Sequence, residues 1–178
     1  MITNKKMKRL ILFIIILVTT TNLFAQTTAR TSTTKIMTLC GVAFGQENSK
    51  FVEQLKNSEK YTNLQTLLSD NGRIDDVHIT TTYYDRMLDT DIVYCAALCL
   101  KARFNGYMGR PYMLLKSILS SKFGNYETSC TYEGKDCLCW NLPYGQITMW
   151  VESGTELIVF FMDYAALKKA HKVLDDAF

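Results

Sequence analysis

The sequence predicts an α+β domain, an antiparallel sheet with helices on one face. Three observations predict it. Amphipathic stretches with helical spacing stand near the start, middle and end of the chain. Between them lie short β-branched and aromatic runs separated by Gly-containing turns. Strands joined by tight turns pair antiparallel, and the helices then cover a face of the sheet.

The elements follow in order. Phe51, Val52 and Leu55, then Leu64, Leu67 and Leu68, recur at helical spacing from Glu47 to Ser69. "NSEKYTN" between them breaks the run into two helices, and Asn71-Gly72 stops it, because both residues tolerate positive φ. "VHITTTYY" at 77–84 is a strand by its β-branched and aromatic content. "IVYCAALCLKARF" at 92–104 opens like a strand and continues like a helix; the strand-type turns around it assign a long buried strand. Pro111 suits the first turn of another helix, with Leu114, Leu115, Ile118 and Leu119 as its apolar stripe and Gly124 as its stop. Four strands are expected next, over 126–132, 137–142, 146–152 and 156–162, with "EGKD", "PYG" and "SGT" between them. Asp163 caps a last helix whose apolar side is expected to carry Tyr164, Leu167, His171 and Leu174.

Residues 1–25 have the order of a secretory signal peptide. Lys5, Lys6, Lys8 and Arg9 precede the apolar "LILFIIILV", and a cleavage site is expected after Ala25. That apolar run is too short for the roughly 20 residues of a spanning helix. The expected mature protein is exported, periplasmic or extracellular, without a stable membrane anchor. The whole chain has a net charge of +3, but the leader holds the excess, and the mature chain falls to about −1. Nucleic-acid binding leans on a positive field that this chain does not supply, so nucleic acid is not an expected partner. Residues 26–36, rich in Thr, read as a tether, and 37–178 as one domain with helix-plus-strand halves at 37–107 and 108–178.

"GVAFGQENSKFVEQLKN", with "KFGN" after the middle helix and the terminal "FFMDYAALKKAHKVLDD", resembles small exported bacterial proteins of unassigned function. Their helix-plus-sheet repeats are similar in plan to the beta-lactamase inhibitory protein and to small outer-membrane assembly lipoproteins. The resemblance implies a binding module rather than an enzyme, and it carries over no site residue.

All six cysteines lie beyond the leader: Cys40, Cys95, Cys99, Cys130, Cys137 and Cys139. An oxidising compartment favours disulfides. If Gly134-Lys135 forms the hairpin tip, Thr131 faces Leu138 and Cys130 faces Cys139. Directly opposed Cβ atoms lie roughly 4.5–5.5 Å apart, close to disulfide geometry. A Cys130–Cys139 staple is therefore expected, and a register change would substitute Cys137. The sequence contains no Cys-x-x-Cys, Gly-rich phosphate loop, zinc-protease helix motif or Gly-x-Ser-x-Gly elbow. The expectation is accordingly no metal, no cofactor and no identifiable catalytic residue. His171 reads as a partly buried core residue and His78 as solvent-facing. Asp85, Asp89 and Asp91 read as a solvated turn, and Glu152 and Glu156 as acids beside a hairpin.

Alternation puts His78, Thr80, Thr82 and Tyr84 on one side of their strand, and Thr148, Trp150 and Glu152 on one side of theirs. These sides would form an open face, with Tyr84, Tyr132 and Trp150 as partly exposed binding residues for a protein or envelope glycan. The alternative function is a periplasmic or secreted hydrolase whose residues meet only in the fold.

Overall fold

An antiparallel sheet organises the molecule, as the sequence predicts; it has five strands, and the expected strand over 126–132 is reduced to the short arm Thr131–Tyr132 of a separate hairpin. The computed structural model describes residues 35–69, 72–81, 90–128 and 130–175, all within the compact unit Thr34–Phe178. The expected leader, most of the tether, and the strand end that holds Tyr84 lie outside the described residues.

The described chain opens with a small hairpin, β1 (Thr38–Leu39) and β2 (Val42–Ala43). Its two-residue turn places Cys40 and Gly41 at φ values of 52° and 85°, the arrangement that matches the twist of paired strands. Helices α1 (Asn48–Lys56) and α2 (Glu59–Leu68) follow. The expected break falls at Asn57 and Ser58. The Ser58 hydroxyl accepts the Tyr61 N–H at 3.4 Å and donates to the Cys40 carbonyl at 2.7 Å, so one side chain caps α2 and ties it to the hairpin.

Strands β3 (Ile74–Thr80) and β4 (Cys95–Ala102) come next. β4 confirms the long buried strand: every residue but Lys101 is buried. Helix α3 (Gly109–Phe123) carries Pro111 in its first turn, buries Leu115 and Leu119, and stops at Gly124, whose φ is 85°. A second small hairpin, β5 (Thr131–Tyr132) and β6 (Lys135–Asp136), precedes β7 (Leu138–Leu142), β8 (Gly145–Ser153) and β9 (Glu156–Asp163). Helix α4 (Tyr164–Asp175) ends the fold.

The large sheet has the order β3-β4-β9-β8-β7, every pairing antiparallel. One face packs Leu98, Trp140, Ile147, Met149 and Val159 against Phe51, Leu55, Leu68, Leu115, Leu119 and Ala166 of the helices. All the helical residues of the described cores belong to this face. The other face carries Cys95, Ala97, Cys99, Cys139, Trp150, Ile158 and Phe160. Since β4 and β9 are central strands with apolar residues on both sides, the sheet is buried on both faces along its middle.

Asp163 is fully buried and joins the two ends of the domain. One carboxylate oxygen accepts the Ala166 N–H at 2.7 Å, the expected cap of α4, and the other accepts the Met37 N–H at 2.5 Å. This cap sets the rotation of α4. Ala166 and Ala170 face inward, while Tyr164 and His171 are exposed. The expected placement of His171 in the core is thus corrected: the buried stripe lies one position round the helix.

Candidate functional site

The β5–β6 hairpin builds the first local arrangement. Glu133 and Gly134 take φ values of 49° and 77°, so the turn is Glu133-Gly134 and the partners are Tyr132↔Lys135 and Thr131↔Asp136. The expected tip, Gly134-Lys135, is off by one residue. This register puts Cys130 across from Cys137, whose N–H donates to the Cys130 carbonyl at 3.1 Å. Nevertheless the sulfurs of Cys130 and Cys139 come to disulfide-bonding distance, with Cα atoms 6.5 Å apart. The pair is reached by another route than expected. Glu127 exchanges both backbone hydrogen bonds with Cys139, at 2.8 and 2.9 Å, and so lays the segment before the hairpin along β7.

The hairpin covers the sheet rather than leaving it open. Tyr132 lies over Trp150 with ring centroids 4.7 Å apart. Trp150 is only 1% exposed, and its indole N–H donates to Glu152 Oε2 at 2.7 Å. Lys135 pairs with the other oxygen of Glu152. These two hydrogen bonds, Lys135 first, hold the Glu152 carboxyl below the usual range. The expectation that Trp150 is a partly exposed binding residue is corrected: it is a core residue under the hairpin. Tyr132 is half-buried. Tyr84, the third proposed binding residue, lies outside the described residues.

A second arrangement joins residues that the sequence left separate. His78 sits directly across from Cys99 in the β3–β4 register. His78 Nδ1 is 2.5 Å from Asp76 Oδ2, which leaves Nε2 as the outer ring nitrogen. Burial pushes the Cys99 thiol up to about 11, and the charges of Asp76 and Glu156 act in the same direction. Cys99 is accordingly protonated at neutral pH and lacks the thiolate that nucleophilic catalysis uses. Cys40 is also held up at about 11, burial outweighing the pull of Lys122 and Lys60. Asp91 is exposed, and its carbonyl accepts the Asn48 N–H at 2.8 Å; Asp85 and Asp89 lie outside the described residues. Glu156 lies 3.8 Å from Lys101. Among the described residues, no group of three or more His, Cys, Asp or Glu is placed to hold a metal ion.

The third arrangement was not foreseen from the sequence. The loop after β4 is tied to the β8–β9 turn by Ala102 N–H to the Thr155 carbonyl at 2.7 Å and Gly106 N–H to the Gly154 carbonyl at 2.9 Å. A Cβ at Gly154 would lie 2.8 Å from Asn105 Oδ1, so a larger residue there would displace the Asn105 side chain. A recess of about 290 Å³ opens between this loop, the start of α3 and β8, lined by Gly106, Met108, Gly109, Tyr112, Val151 and Gly154. The Arg73 guanidinium lies 5.2 Å from the centroid of Tyr107 beside it. Val151 is 39% exposed; Met113, next to Tyr112 in the chain, and Phe104, two residues before Gly106, are each 60% exposed. Met113 follows Gly109 by one helical turn, so it stands on the same side of α3. The signal in the sequence is "FNGYMGRPYM" at 104–113, dense in aromatic, Met and Gly residues; reading it only as a helix start hid it.

No helix of the described residues is long and apolar enough to cross a membrane. No family model matches the chain, and no curated protein or solved structure matches it.

Proposed function

We propose that the chain is an exported binding module that takes an apolar segment of a protein partner in the recess beside α3. The observation that carries this reading is an open recess with exposed Val151 in its wall, together with the exposed apolar side chains of Phe104 and Met113 close to its lining residues in the chain. Exposed apolar groups beside a concavity mark interaction sites, and the recess of about 290 Å³ carries an apolar lining in Met108, Tyr112 and Val151, which suits the apolar side chains of a partner segment. The surface differs from the open sheet face expected from alternation. The leader pattern of residues 1–25 and the bonding distance of Cys130 and Cys139 support export.

Site-resolved crosslinking tests the reading. A photoreactive amino acid placed at Phe104 or Met113 should capture one and the same protein in the producing cells, while one at Lys56 on α1 should not. Val151→Asp should abolish the capture. Equal yields from all three positions would sink the proposal.

A hydrolase reading has one observation in its favour, the Asp76–His78 pair across from Cys99. It requires His78 to activate a thiol that burial holds protonated. His78→Ala should then slow alkylation of Cys99 by iodoacetamide; an unchanged rate would remove the reading.

A further inference from the structure

Three of the cysteines lie together under the β5–β6 hairpin. Cys137 and Cys139 belong to the buried cluster around Trp150, and Cys130 and Tyr132 pack against it. Cys130 has one cysteine at bonding distance and a second opposite it in the hairpin. Its sulfur is at bonding distance from that of Cys139, yet it also lies 3.3 Å from the Cys137 carbonyl oxygen. The hairpin ladder, continued one step beyond Thr131↔Asp136, sets Cys130 directly opposite Cys137. Opposed residues of an antiparallel pair have Cα atoms about 4.5–5.5 Å apart, and disulfides span about 4.4–6.8 Å. The observed 6.5 Å between Cys130 and Cys139 also falls within that span.

We propose that the hairpin is a disulfide-exchange switch in which Cys130 is shared between Cys139 and Cys137. The exchange balances within the chain. Burial pushes the Cys137 thiol up, so it gives up its proton only when the hairpin opens to solvent; its sulfur then bonds to the Cys130 sulfur. The bond from Cys130 to Cys139 breaks, and Cys139 leaves as a thiolate that takes up a proton. No external oxidant or reductant is consumed.

The two states differ in what they hold. β7 is an edge strand of the sheet. In the Cys130–Cys139 state the cross-link reinforces the Glu127–Cys139 hydrogen bonds and keeps the preceding segment on that edge. In the Cys130–Cys137 state the hairpin is closed on itself, and only those backbone bonds cover the edge. An uncovered edge is a template for strand addition. The switch therefore controls access to β7, at a location distinct from the recess, and its truth does not depend on the recess binding a partner.

The deciding experiment uses the full chain in native buffer without reductant, exposed to iodoacetamide for increasing times, with tandem mass spectrometry locating the label. The expected result is a population labelled at Cys139 that has lost label at Cys137. Label confined to Cys137 in every molecule at every time would overturn the proposal. A second measurement uses C139S. It should still carry one disulfide, Cys130 to Cys137, after oxidation in a glutathione buffer. Its backbone amide at position 139 should exchange with deuterium about tenfold faster than in C137S, as expected for a locally opened edge. A folded C139S with Cys130 left as a thiol would contradict the sharing.

Discussion

Replacing Trp150 with Ala tests the corrected placement of that residue. Truncating a buried Trp costs about 3–5 kcal/mol. The tilted stack on Tyr132 adds about 0.5–1.5 kcal/mol beyond the area. Loss of the indole bond to Glu152 adds less than it would elsewhere, because Lys135 still pairs with that carboxylate and leaves it with a partner. The expected loss is therefore about 4–6 kcal/mol. For a domain of this size each kcal/mol moves the melting temperature by about 2–4 °C, so Trp150→Ala should melt about 8–24 °C lower. Trp150→Phe keeps most of the packing and the stack but loses the hydrogen bond, for about 1–2 kcal/mol. Thermal unfolding followed by far-UV circular dichroism measures both. A Trp150→Ala protein melting within about 3 °C of the parent would mean that the hairpin does not cover the sheet.

Three further outcomes follow from the same geometry. Asp163→Ala should cost about 2–4 kcal/mol in urea unfolding, because it removes the α4 cap and orphans the buried Met37 N–H; Asp163→Asn should recover only part of this, since its amide offers one acceptor for two N–H groups. Gly145→Ala should lower stability by about 1–3 kcal/mol or more, because an added Cβ would run into the Met162 carbonyl and Met37. The depressed carboxyl of Glu152 contributes stability present above the unfolded Glu range, about 4.3, and lost as pH falls through the lower folded value. Glu152→Gln should therefore flatten the acid limb of a stability–pH curve below about pH 4.3, and an unchanged limb would show that the Lys135 pair contributes nothing in solution.

Much of the fold was legible because its signals are local. The Ser58 break, Pro111 and Gly124 at the ends of α3, and the Asp163 cap each act within one turn of chain. The β8–β9 hairpin announces itself through "SGT". Alternation gives Trp150 polar neighbours in Thr148 and Glu152 and so assigns it to the open face; it carries no sign of the hairpin that packs over that face. The apolar runs "CAALCL" and "LIVFFM" in β4 and β9 already indicated strands buried on both sides. The order β3-β4-β9-β8-β7 depends on the distant pairing of β4 with β9, which no local pattern encodes. The recess depends on it too, whereas the His78–Cys99 juxtaposition comes from the register of the consecutive strands β3 and β4. The hairpin register failed by one residue because Gly was weighted at the turn and Glu133, at positive φ, was not.

Binding of an apolar partner segment in the recess beside α3 is read out by calorimetric titration of the partner captured by crosslinking into the purified chain and into Val151→Asp, with melts confirming that both are folded. Anchor positions lose about 2 kcal/mol or more on disruption, so Val151→Asp should weaken the affinity by about thirtyfold or more. A folded Val151→Asp protein that binds the partner with unchanged affinity would contradict it.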